Sequence, residues 1–129
     1  MNMIRLVGIA VLSFSMLGAP ITSAQDLTSA QKNAVRSAKN YLSFQAFSRR
    51  GLIDQLSSPY GDDYDVADAT AAVDSLSVDW NAQAVRSAKT YLEMMGFSCN
   101  GLIRQLSSDA GDKYTESQAT YGAQQAGAC

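Results

Sequence analysis

The segment AVRSAKNYL, residues Ala34–Leu42, returns fifty positions later as AVRSAKTYL, residues Ala84–Leu92, with eight of nine residues identical. The similarity extends beyond this segment. Shifting the chain by fifty positions aligns Ala34–Thr70 with Ala84–Thr120, and 22 of the 37 pairs are identical. Self-similarity at a fixed period is typical of a duplicated structural unit. We therefore expect two copies of one small fold.

The first helix of each copy is predicted from the spacing of its apolar residues. These residues recur three and four positions apart, as on one face of a helix, and the same positions are apolar in both copies. The pattern predicts helices over about Ser29–Gln45 and Asn81–Met95. Ser48 and Ser98 follow, and both are suited to be the N-cap of a second helix.

A glycine-containing turn and a third helix complete each copy. Gly61 and Gly111 can take a left-handed conformation that ends the second helix. The third helix begins with a capping-box pattern in both copies, DVAD from Asp65 and TESQ from Thr115, and the second is the better match. Each copy is therefore predicted to hold three helices.

The join between the copies is short. It reads SVDW and ends at Trp80, the only tryptophan of the chain. So short a connection leaves little room for a flexible linker, and we expect Trp80 to pack between the repeats. The predicted fold is all-α, with two tandem three-helix units that resemble helix-turn-helix modules, residues 25–79 and 80–129.

The N-terminal residues 1–24 have the layout of a secretory signal peptide. Arg5 precedes an apolar run from Leu6 to Ala19, Pro20 follows, and small residues lead to a cleavage site after Ala24. The alternative is a retained membrane anchor, which would be the only contact with a membrane. The apolar run is shorter than the roughly 20 residues that span a bilayer, which favours cleavage.

Charge and composition exclude several functions. Without Arg5, nine basic residues face twelve acidic ones, a net charge of −3, whereas nucleic-acid binders usually carry a basic patch. The chain has no histidine, so it lacks the usual general base and the commonest metal ligand. No catalytic set can be assembled, no cofactor is implied, and we expect a protein that is not an enzyme and does not bind nucleic acid.

The first copy contains a cluster of acidic residues, the residue type that binds calcium. They are spaced unlike an EF-hand loop, which requires a glycine at its sixth position and a carboxylate at its twelfth. We therefore interpret them as turn and cap residues and predict no metal site. The residues are Asp62, Asp63, Asp65 and Asp68.

The two cysteines are Cys99 and Cys129. An even count in an exported protein favours a disulfide bond. Two free thiols, or pairing between chains through Cys129, remain the alternatives, since spacing alone does not decide the geometry. The oligomeric state is left open.

The repeated cations form the candidate contact face for a partner. Arg36 and Lys39 return as Arg86 and Lys89, and a surface that bound an acidic partner would be presented twice. The alternative is the solvated face of an amphipathic helix, with the long side chains covering apolar surface. The sequence does not separate the two.

The repeated frame SAKxYL, FSxxGLIxQL and GDxY, with VDW between the copies, resembles the Ltp-like family, the host-cell-surface-exposed lipoproteins. The resemblance covers about Ala34–Leu76 and Ala84–Gly122. It implies two helix-turn-helix-like repeats outside the membrane. It also implies a superinfection-exclusion role in which incoming phage DNA is blocked, through contact with the phage tape-measure protein.

One departure from the family concerns the lipid anchor. A lipoprotein has a cysteine directly after the signal segment, and APITSAQD has none. We therefore expect a secreted or envelope-associated protein that is not lipid-anchored at this junction. The leading hypothesis is an exported protein-binding module that excludes phage, and the alternative is a structural or interaction protein of the bacterial cell wall or secretome.

Overall fold

The computed structural model describes residues 26–129, so the predicted signal peptide lies outside the described residues. Within this range the chain forms six α-helices and no strand. They are α1 Ser29–Phe44, α2 Arg49–Ser57, α3 Val66–Asp74, α4 Trp80–Met94, α5 Cys99–Ser107 and α6 Glu116–Gln125. The predicted all-α fold of two three-helix repeats is confirmed.

The second helix of each repeat begins where its serine cap predicts. The hydroxyl of Ser48 accepts a hydrogen bond from the amide of Gly51 at 2.9 Å, and Ser98 does the same with Gly101 at 2.9 Å. Each bond satisfies one of the amides that the first turn of a helix leaves without a partner.

The third helices begin differently in the two repeats. Thr115 and Gln118 form the complete capping box. In the first repeat the prediction is wrong, because Asp65 makes no capping hydrogen bond. The residue three positions on, Asp68, instead accepts a hydrogen bond from Gln31 of α1 at 3.2 Å.

In the turn after the second helix, the residues with a left-handed backbone conformation are not the predicted ones. Asp63 and Lys113 have positive φ angles of 55° and 64°, whereas the predicted Gly61 and Gly111 do not. These glycines are needed for a different reason. A Cβ atom at either position would lie 2.4 or 2.2 Å from the carbonyl oxygen of a glutamine in the second helix, so the backbone can pass that helix only without a side chain.

Each repeat has its own apolar core, and the two cores share no residue. In the first, α1 and α2 pack against α3, and in the second, α4 and α5 pack against α6. Trp80 is an exception to this division. It is the first residue of α4, but its side chain packs against the core of the first repeat.

Candidate functional site

The polar residues that the repeats share form the same hydrogen bonds twice. The serine of each AVRSAK segment bonds the tyrosine that precedes the third helix: Ser37 with Tyr64 at 3.1 Å and Ser87 with Tyr114 at 2.7 Å. Tyr114 is buried, and burial raises its pKa. This serine is therefore kept in both copies by a contact within its own repeat.

A second shared contact joins a tyrosine of the first helix to an aspartate of the turn. Tyr41 donates to Asp62 at 3.1 Å, and Tyr91 donates to Asp112 at 3.0 Å. The surroundings differ, since Asp62 is exposed and Asp112 is half-buried. Burial raises the pKa of Asp112, and the hydrogen bond from Tyr91 opposes that shift only in part.

The second oxygen of Asp112 has no hydrogen-bond partner. Among residues 26–129, Asp112 Oδ2 is the one buried side-chain oxygen or nitrogen that finds none within the protein. A buried polar atom without a partner costs free energy of about 1–3 kcal/mol. Asp112 therefore stands apart from its copy Asp62, although the two occupy the same position of the repeat.

The two repeats meet through polar contacts that include both main-chain and side-chain groups. Arg86 donates to the carbonyl oxygen of Leu42 at 2.7 Å, and Ser48 donates to the carbonyl oxygen of Asp112. Two ion pairs also cross the junction. They are Arg50–Asp109 at 2.9 Å and Lys113–Asp54. Exposed ion pairs contribute little each, so the hydrogen bonds from Arg86 and Ser48 and the packing of Trp80 on the first core are the stronger contacts across the junction.

Two cavities lie at this junction and are lined by both repeats. The larger has a volume of about 420 Å³ and the smaller about 300 Å³. They share Gln45, Ala46 and Asp112, so we call them together the inter-repeat groove. Tyr60 lines the larger cavity and Met94 the smaller, with 101% and 70% of their surface exposed. The groove therefore combines a carboxylate with exposed apolar side chains.

The four predicted partner-contact cations do not have equivalent places. Arg36 and Lys39 are exposed on α1, and Lys89 is exposed on α4 beside Tyr121. Arg86 is half-buried and donates across the junction, as described above. The copies of this arginine have thus diverged in role without a change of residue, and the structure does not present one cationic face twice.

The acidic residues of the first copy serve local structure. Asp62 accepts from Tyr41, Asp68 accepts from Gln31, and Asp63 takes the left-handed step of the turn. Across residues 26–129, no three side chains of the types that bind metals lie close enough together to hold an ion.

The cysteines form the intramolecular disulfide Cys99–Cys129, which confirms that prediction. It ties the first residue of α5 to the chain just beyond α6. In the first repeat the position of Cys99 is taken by Arg49, which forms a two-pronged ion pair with Asp74, the last residue of α3, at 2.7 and 2.9 Å. The same corner of the fold is therefore closed by a covalent bond in one repeat and by an ion pair in the other.

Comparison with known proteins accounts for both repeats. The model of the family described as host cell surface-exposed lipoprotein (Ltp) matches residues 29–76 and again residues 79–125. The chain belongs to this family. The resemblance inferred from the repeated frame is therefore confirmed, and the two matched segments are separated only by residues 77 and 78.

A solved structure supports the same conclusion. It is the structure of Ltp, a superinfection exclusion protein from the Streptococcus thermophilus temperate phage TP-J34. It is similar to this chain with 32% sequence identity and a TM-score of 0.66, over 74% of this chain and 94% of the other. No curated protein sequence matches this chain. None of the helices found in residues 26–129 combines the length and the apolar character that crossing a bilayer requires.

Proposed function

We propose that this chain is an exported, non-enzymatic protein-binding module that excludes superinfecting phage by blocking the entry of their DNA. The observation that carries this proposal is the likeness to the Ltp structure, which extends over both repeats and 94% of that chain. The phage tape-measure protein is the first partner to test, because the resemblance of the repeated frame implies it.

The chemistry of the described residues supports binding rather than catalysis. The chain has no histidine, and its cysteines are both in the disulfide bond, which leaves no free thiol. The side chain of Asp112, whose pKa is raised by burial, accepts from Tyr91, and the neighbouring hydroxyl of Ser48 donates to the main-chain carbonyl oxygen of Asp112 rather than to its carboxylate. The inter-repeat groove offers what a binding surface requires, a concave shape with a few polar groups among exposed apolar ones.

The experiment compares phage infection with and without the full chain in a sensitive bacterial host. Adsorption and DNA entry are measured separately on a panel of phages. We expect unchanged adsorption and reduced DNA entry for some members of the panel. DNA entry at the control level for every phage, with the chain present at the envelope, would refute the proposal and favour the alternative of a cell-wall or secretome interaction protein.

A further inference from the structure

The exposed apolar side chains at the inter-repeat groove need an explanation. Tyr60 lines the larger cavity and is fully exposed, and Met94 lines the smaller cavity and is largely exposed. The copy of Tyr60 in the second repeat is Ala110, and the turn there has the same course. The local fold therefore does not require a tyrosine at position 60, and its ring is free to contact another molecule.

The charge of the groove indicates which kind of molecule it can bind. Its ionisable acids and bases are Asp54, Asp112 and Lys113. Lys113 pairs with Asp54, so the charge that remains is the carboxylate of Asp112. Among the described residues that line the two cavities there is no unpaired cation. A bound cation would find an opposite charge here, whereas a bound anion would not.

The position of Asp112 fits this role. It lines both cavities, so a group bound in either cavity lies beside the same residue. One oxygen is held by Tyr91, which fixes the orientation of the carboxylate, and the other has no partner among residues 26–129. That oxygen is covered in the structure, so a donor reaches it only after a local rearrangement of the groove. Met94 lines the smaller cavity together with Asp112, and its side chain has three rotatable bonds.

We propose that the inter-repeat groove binds a polypeptide segment in which a lysine or arginine lies between apolar residues. The cation bonds Asp112, and the apolar residues pack on Tyr60 and Met94. This inference rests on the proposed function, since it names the chemistry of the partner that the groove takes. Charge-assisted hydrogen bonds are about twice as strong as neutral ones, so loss of the carboxylate is expected to weaken binding about tenfold or more.

The test uses a library of random displayed peptides selected on the immobilised full chain. An enriched peptide is then synthesised, its Kd is measured by calorimetry, and its site is mapped from the NMR shifts of Gln45, Tyr60 and Met94. We expect enrichment of lysine or arginine between apolar residues. Enrichment without basic residues, or shift changes confined to the exposed face of α1, would overturn the inference.

The repeat supplies matched controls for the variants. Asp112→Asn keeps an acceptor for Tyr91 but removes the charge, and we expect about tenfold weaker binding. Asp62→Asn makes the same change at the equivalent position outside the groove, and binding should stay at the wild-type level. Tyr60→Ala should also weaken binding, and it copies the residue found at position 110. Equal binding by the wild type and both groove variants would overturn the inference.

The outcome separates this inference from the proposed function. If the wild-type chain does not reduce phage DNA entry, the proposed function fails whatever peptides bind. If the wild-type chain blocks entry and Asp112→Asn blocks it equally well, the groove is not the site of binding and only this inference fails.

Discussion

Removal of the disulfide should destabilise the second repeat far more than loss of the equivalent ion pair destabilises the first. The perturbation is the double substitution Cys99→Ser with Cys129→Ser. The two cysteines are 30 residues apart in the chain, and closing a loop of that length removes unfolded-state entropy worth about 3.6 kcal/mol at room temperature.

The first repeat provides the comparison. Asp74→Asn removes the ion pair with Arg49 at the same corner of the fold. These side chains are 42% and 50% exposed, so the pair should contribute only about 0.2–1 kcal/mol. The disulfide is therefore expected to contribute at least three times as much to the free energy of unfolding as the ion pair.

The assay must report on each repeat separately, because two units with separate cores need not unfold together. Native-state hydrogen exchange of amides in α2 and α3 reports on the first repeat, and exchange in α5 and α6 on the second. We expect the cysteine variant to lose about 3–4 kcal/mol of opening free energy in α5 and α6, or all protection there, with α2 and α3 unchanged. Reduction of the wild type should give the same result.

Two results would refute this reasoning. One is a loss below about 1 kcal/mol in the cysteine variant, which would mean that the covalent clamp does little more than an exposed ion pair. The other is an equal loss in both repeats, which would mean that the repeats do not act as separate cooperative units.

Three further predictions concern the second repeat and the junction. Burial raises the pKa of Asp112, so the native state binds its proton more tightly than the unfolded chain. Wild-type stability should therefore fall relative to Asp112→Asn as the pH rises above about 4, and urea unfolding of both proteins across that range checks the sign. Gly122→Ala would place a Cβ atom 2.7 Å from the backbone of α4 and should cost about 1–3 kcal/mol in thermal unfolding, whereas Gly96→Ala, with nothing within 4 Å, has no such clash. Arg86→Ala removes a charged donor from the junction and should cost about 1.5–3 kcal/mol in urea unfolding, whereas the exposed Arg36→Ala should change stability by less than about 0.5 kcal/mol.

The helices of each repeat could be predicted because their causes are local. Apolar spacing predicted both ends of α1 within a single residue, and the serine caps predicted where α2 and α5 begin. The capping box at Asp65 was predicted wrongly: Asp65 makes no cap hydrogen bond, and Asp68 accepts from Gln31 of another helix, a contact that local sequence does not show. The even number of cysteines favoured the disulfide, but the alternatives could not be excluded because chain spacing does not determine whether two cysteines come within bonding distance.

The inter-repeat groove could not be predicted from the sequence. Aligning the repeats pairs each residue with its copy and predicts the same surroundings for both. Arg36 and Arg86 are the same residue in the same frame, as are Asp62 and Asp112, yet only the second of each pair lies at the junction. What distinguishes them is the placement of one repeat against the other. That placement depends on long-range contacts that no periodicity records.

The packing of Trp80 on the first core has a consequence for folding during synthesis. Domains generally fold as units, with the N-terminal one first. Here the N-terminal core is complete only after the residue that opens the next helix has emerged. A ribosome that has made residues 26–79 has therefore made every helix of the first repeat but not its last apolar contact. The two repeats therefore have the same fold but are not interchangeable, because the side chain of Trp80, from the second repeat, packs against the core of the first.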